Sequence, residues 1–555
     1  MKKDKIIIGL VVVGLLIVIG IIYVVNHNSK LDDWVYKPKS SSNYGMKGTI
    51  NNQWSSISTD SSIGLSTGGA KDINNYRDNL SQGYFPLQSD ITYEGLFYEY
   101  FFDTKTNSVN GDEDIFYPSA STSISSDPIS SNDEYYLSVG LNSNIKKSDF
   151  KRKKLNIVIV LDISGSMSSS IDDYYYDGND EKEDYKSKMK LAEESINVLI
   201  DQLKDYDSLG IVLFDDDAYL AKPLNKMSKT NIKTLKKHIL EVKEYGGTNF
   251  EAGYKKALKV FDKYGVGDTD EYENRIIVIT DAMPNMGATT HSELLDMMED
   301  AQDDNINTTF IGVGVDFNSE VVKNITNVRG ANYYKVSSEE EFKNRMGEEF
   351  DYMVTPMVYD LNMSINSNNF KLEKIYGTDD IDSENSNTIM HVNTLFPSNS
   401  TDNGEVKGGI ILIKLKKIGE GNDLKINLDW NSINDKKSNN SLEVKFKNNN
   451  YYDNTGIRKA IVLSRYTNMV KDWIEYDRDE NDRFVINKYT GIIDYDKRYS
   501  SRNERRSSHI RVSSMYRDNF INLKKYMNDE IKEIDDSTMK QEIEMIDYIL
   551  NNGNK

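Results

Sequence analysis

Cysteine is absent from the 555 residues. Disulfides, thiolate metal sites, cysteine nucleophiles and lipid attachment through cysteine are therefore excluded. Histidine is nearly as scarce. His27, His238, His291, His391 and His509 lie far apart and no HExxH occurs, so a histidine-built zinc site is not expected. Positive charge is also in deficit, with 68 Lys and Arg against 88 Asp and Glu and a formal net charge of -20. Nucleic acid is thus not an expected partner, because phosphate binding needs clustered cations. The acidic surplus serves solubility and is compatible with cation binding.

Apolar residues make up 38% of the chain and aromatics 10%, enough for real cores. The length argues for about two to four domains. The run Ile6 to Val25 is uncharged. Twenty helical residues span roughly 30 Å, the hydrocarbon thickness of a bilayer. The stretch that follows has no small-residue cleavage pattern, so residues 6–25 read as an uncleaved transmembrane anchor. Lys2, Lys3 and Lys5 precede it, and the positive-inside rule places the N-terminus in the cytoplasm and the domains outside. The membrane is thus one expected partner.

Residues 27–62 are polar and rich in Ser, Asn and Gly, as in a linker. Residues 63–150 form an N-terminal region expected to pack on the domain that follows. In it Ile73, Tyr76, Arg77 and Leu80 have helical spacing, "YYLSVGL" reads as a strand, and the Ser- and Asp-rich stretch 104–133 reads as a loop. From 151 to 352 apolar runs alternate with amphipathic segments: Leu155–Leu161, Leu209–Phe214, Ile276–Ile279 and Thr309–Val313 suit strands buried on both faces. Met189, Ala192, Ile196, Ile200 and Leu203 share one helix face. This is an α/β pattern with a doubly wound, mostly parallel sheet. Asp215, Asp216 and Asp217 interrupt it and read as a solvated hairpin turn to an antiparallel edge strand. Residues 353–450 read as a β-sandwich and 451–555 as a helical C-terminal region.

The stretch "LNIVIVLDISGSMSSS" carries the chemistry. A buried strand ends on Asp162, and Ser164 and Ser166 follow at alternate positions of a tight loop. Ligands of open α/β sheets bind beyond the carboxyl ends of the strands. One carboxylate and two hydroxyls there make one wall of an oxygen-only site suited to a hard cation. "EYGGTNFEAG" places Thr248 after two glycines and before a helix, and "IIVITDAMPN" places Asp281 at another strand end.

Asp162, Ser164, Ser166, Thr248 and Asp281, in that order on three loops, resemble the metal-ion-dependent adhesion site of von Willebrand factor type A (VWA) domains. The resemblance covers about residues 154–350. It implies a Rossmann-like fold, with Ser164, Ser166 and Thr248 binding a metal through hydroxyls and Asp162 and Asp281 acting directly or through waters. The implied metal is Mg²⁺, with Mn²⁺ or Ca²⁺ as alternatives. The implied partner is a protein that offers an Asp or Glu carboxylate to the open coordination position. The flanking segments are similar to bacterial membrane-anchored proteins of this kind, with a layout like calcium-activated chloride-channel-like proteins and inter-alpha-trypsin inhibitor heavy chains.

The expected function is metal-dependent binding of a protein ligand outside the cell. An envelope assembly or scaffold factor using the same domain is the alternative, and a metal-dependent hydrolase ranks below both. No catalytic residue is expected. An acidic insert, 168–188, follows the first loop. Its Tyr174, Tyr175 and Tyr176 are candidates for a partner-binding rim, and a basic run, 497–511, is a second unassigned feature.

Overall fold

The computed structural model describes residues 30–37, 62–71, 73–104, 115–171, 186–281, 291–314, 328–336, 347, 349–377, 388–432, 436–482, 485–486, 493–494 and 509–553. The proposed anchor 6–25, most of the linker, Tyr174–Tyr176 and residues 497–508 lie outside them. Among the described residues, no helix is long and apolar enough to cross a membrane.

The alternating region builds one seven-stranded sheet. Its central strand, Lys154–Asp162, pairs in parallel with Ser208–Phe214 on one side and Tyr272–Thr280 on the other. Ile306–Val313 and Asn332–Val336 continue the sheet in parallel beyond Tyr272–Thr280. Ala218–Lys226 pairs antiparallel with Ser208–Phe214 at the far edge, so the three aspartates do turn a hairpin. Gly69–Ala70, from the N-terminal region, closes the opposite edge.

Strand side chains alternate faces, and here both faces are covered. Leu155, Ile157, Ile159 and Leu161 pack under the helices Lys188–Gln202 and Ile232–Ile239. Val158 and Val160 pack under Phe250–Tyr264 and His291–Asp303. The doubly wound α/β reading holds. From the central strand the chain first builds outward through Ser208–Phe214, then returns to the other side with Tyr272–Thr280. The switch point lies between Lys154–Asp162 and Tyr272–Thr280, which end on Asp162 and just before Asp281.

The second large sheet has ten antiparallel strands around one apolar core. It draws on both flanks of the α/β region. Ser62–Thr67, Phe116–Ser126 and Asp133–Lys146 join Val358–Asn366, Phe370–Tyr376, Thr388–Ser398, Ile410–Lys417, Asp423–Ser432 and Lys437–Lys445. The α/β region is therefore inserted between strands of one shared antiparallel sheet. Phe116–Ser126 falls where a loop was expected. Its Phe116 and Ile124 face the sandwich core, while Ser121, Ser123 and Ser125 meet Asn454, Tyr451 and Tyr452 through hydroxyl hydrogen bonds. Small hydroxyl side chains leave room for the helix Thr455–Asp482 to close over this face, and their polar atoms remain satisfied.

That helix is buried along Ile457, Ile461, Val462, Leu463, Tyr466, Val470 and Trp473. It shares a core with Asn74–Ser81, Tyr93–Tyr98, Ser514–Ile534 and Lys540–Asn552. Residues 30–37, read from sequence as linker, instead run beside the edge of the α/β sheet. Val35 N–H donates to the Ala221 carbonyl at 2.8 Å, Lys222 pairs with Asp33 at 3.0 Å, and Trp34 stacks on His238.

Candidate functional site

The site forms at the carboxyl edge of the α/β sheet, at the switch point, where open sheets of this type present loops to ligands. Asp162 ends the central strand and is fully buried. Its Oδ1 accepts the Ser164 N–H at 2.8 Å, which folds the loop back on the strand end. Its Oδ2 accepts the Thr280 hydroxyl at 2.6 Å, from the neighbouring strand. Ser164 and Ser166 hydroxyls stand 3.1 Å apart, and Ser166 donates to Asp281 Oδ1 at 2.9 Å. Four of the five residues expected from sequence thus form one continuous hydrogen-bonded chain.

Thr248 is the fifth and is buried. Its loop is fastened to the first by backbone: Gly165 N–H donates to the Gly246 carbonyl at 3.0 Å and Tyr245 N–H to the Ile163 carbonyl at 2.6 Å. Gly246 has φ +80°, a left-handed conformation, and a Cβ there would stand 2.6 Å from Asp216 Oδ2. The left-handed φ is what calls for glycine here. The three-aspartate hairpin has a role that the sequence reading missed. Asp216 accepts the Gly247 N–H at 3.0 Å and the Asp215 carbonyl accepts the Asn249 N–H at 2.7 Å. These aspartates hold the Thr248 loop. Asp215 accepts from Tyr219 OH and from the Asp217 N–H, both at 2.9 Å.

A second participant also escaped the sequence reading. The Lys188 ammonium donates to Asp281 Oδ2 at 2.9 Å, and both side chains are fully buried. Lys188 opens the helix Lys188–Gln202, behind the acidic insert.

Two buried carboxylates on adjacent strand ends repel each other. Burial first, and the Asp281 charge second, push the Asp162 carboxyl up to about 7, while the Ser164 and Thr280 hydrogen bonds pull it down. Among the described residues no three His, Cys, Asp or Glu side chains gather into a metal-binding group. The set here is of another kind, two carboxylates and three hydroxyls. Such oxygen-only donors fit a hard divalent cation, which would also relieve the carboxylate repulsion. Tyr245, whose N–H is bonded to the Ile163 carbonyl next to Asp162, is 69% exposed.

Residues 156–347 match the family described as von Willebrand factor type A domain. The uncharacterized protein YfbK of Escherichia coli (strain K12) is 24% identical over 234 residues, 41% of this chain and 37% of that protein. Inter-alpha-trypsin inhibitor heavy chain H2 of Mus musculus is 22% identical over 207 residues, 37% of this chain and 20% of that protein. The chain therefore spans well under half the length of these relatives. A solved structure, a von Willebrand factor type A protein from Catenulispora acidiphila, is 10% identical. It covers 73% of this chain and 95% of its own length, with a TM-score of 0.41.

Proposed function

We propose that this chain, which carries a von Willebrand factor type A domain over residues 156–347, is a membrane-anchored, non-enzymatic binding protein that holds a protein ligand outside the cell through a divalent cation. Type A domains commonly mediate protein–protein contacts and often bind a divalent metal, which makes this the family expectation. The observation that carries the reading is the buried oxygen chain Asp162–Ser164–Ser166–Asp281, with the Thr248 loop fastened beside it. Ser164, Ser166 and Thr248 would hold the cation through neutral hydroxyls, and Asp162 and Asp281 would balance its charge directly or through water. Mg²⁺ is the favoured ion, with Mn²⁺ or Ca²⁺ as alternatives. A cation so held would offer an open coordination position to an Asp or Glu carboxylate of the ligand.

Two histidine side chains are engaged away from the site: His238 meets Asp32, and His391 meets Asn362 and Asn393. A scaffold role in envelope assembly would use the same site and the same chemistry.

The test is capture of the ligand by the immobilised full chain. Capture should occur in Mg²⁺, fail in EDTA and return when Mg²⁺ is restored, and Asp162→Ala should capture nothing. Ligand retained at full affinity in EDTA would move the binding face to the sandwich or to the basic run.

A further inference from the structure

Lys188 is a fully buried lysine in contact with a proposed cation site, and that combination needs a reason. An ammonium removed from water costs several kcal/mol unless it is paired. Its pairing here is specific: Nζ lies 2.9 Å from Asp281 Oδ2, while Asp281 Oδ1 accepts from Ser166. The fold makes room for this reach. Gly314, just past the strand Ile306–Val313, has φ +93°, and a Cβ there would lie 2.5 Å from Lys188 Cε. The starting point is fixed as well. The neck of the acidic insert is closed by a bridge between Ser170 and Ser187, and Lys188 N–H donates to the Ser169 carbonyl at 3.0 Å. Lys188 is thereby set beside the first loop although the insert separates the two in sequence.

We propose that Lys188 is a positioning residue that acts as the site's own counter-charge. Its ammonium holds Asp281 against Ser166 when no divalent cation is bound, so the oxygen set stays assembled between binding events. Asp162 then remains the carboxylate that only an incoming cation compensates. This rests on the reading that the set holds a divalent cation, and the two ideas are separable by experiment. The fold would survive chelation because Lys188 stays, whereas a site of two buried carboxylates with no tethered cation would depend on metal to fold.

Calorimetric melting of the full chain in mild detergent, in EDTA and in excess Mg²⁺, tests this. In EDTA, Lys188→Met should lower the domain's transition by roughly 10 °C, as expected when a buried ion pair loses one member in a domain of this size. Adding Asp281→Asn to Lys188→Met removes the stranded charge and should restore most of that loss, an effect that lost packing alone would not produce. If Lys188→Met melts with the wild type in EDTA, or if the double variant is no more stable than the single, the counter-charge role is refuted. The Mg²⁺ arm reports separately. A rise in the wild-type transition supports the cation site, and no rise in either wild type or Lys188→Met sinks that reading while leaving the EDTA comparison to decide the role of Lys188.

Discussion

Replacing Asp162 with asparagine should stabilise the cation-free protein at alkaline pH, although it destroys the proposed site. Asp162 ionises near 3.8 in the unfolded chain and near 7 in the fold, because burial and the Asp281 charge oppose its charged form. The sign follows by linkage. Stability from this group is fully present below about 3.8 and is lost as the pH rises through about 7. At roughly 1.4 kcal/mol per tenfold change, the gap sets an upper bound of about 4 kcal/mol. Relaxation around a buried group brings the working figure nearer about 2 kcal/mol, or a melting shift of about 4–8 °C for a domain of this size. Asparagine keeps an acceptor for the Ser164 N–H. The Thr280 hydroxyl, which now donates at 2.6 Å, can rotate to accept from the amide. Calorimetry in EDTA should find Asp162→Asn melting above wild type at pH 8, by an offset that is less than half as large at pH 5 and closes as the pH falls to about 3.8. An offset of the same size at both pH values, or a lower melting temperature at pH 8, would refute the electrostatic argument.

Asp207→Ala should destabilise the domain by about 3–5 kcal/mol in chemical denaturation, with little change in metal binding by the remaining folded protein. Buried Asp207 accepts the two terminal Arg152 guanidinium nitrogens, at 2.9 and 2.6 Å, and the Leu155 and Lys204 N–H groups, so its loss leaves the buried guanidinium with Asp351 as its remaining carboxylate and takes the acceptor from two amides. Tyr245→Ala should weaken ligand capture about tenfold while sparing Mg²⁺ affinity, since exposed rim aromatics are common anchors of binding energy; equal loss of both would place Tyr245 in the metal loop's support rather than at the ligand. Protease added to intact cells should digest the domains beyond residue 30, and full protection would overturn the proposed outside location.

Much of the site was legible because its chemistry is local. Asp162, Ser164 and Ser166 share one short loop, and Thr248 and Asp281 each carry a flanking signal, two glycines or an apolar strand. The α/β alternation was equally plain, since strands buried on both faces read as unbroken apolar runs. Lys188 was not legible: the insert between the first loop and its helix conceals a proximity that the Ser170–Ser187 bridge restores. The roles of Asp215 and Asp216 were hidden for a related reason, because an acidic turn looks solvated until the loop that it holds is placed beside it. Phe116–Ser126 was missed because serine is read as loop when isolated, yet serves as strand where a helix packs closely on it. Strand pairing between segments 62–146 and 358–445 is a long-range choice that periodicity alone does not contain.

The central claim is that Asp162, Ser164, Ser166, Thr248 and Asp281 together hold one divalent cation. Isothermal titration of Mg²⁺ into the metal-stripped full chain at pH 8, beside Asp162→Ala, tests it most directly. The account predicts a single binding event in the wild type and its loss in the variant. Equal heats in both proteins, or none in the wild type, would contradict it.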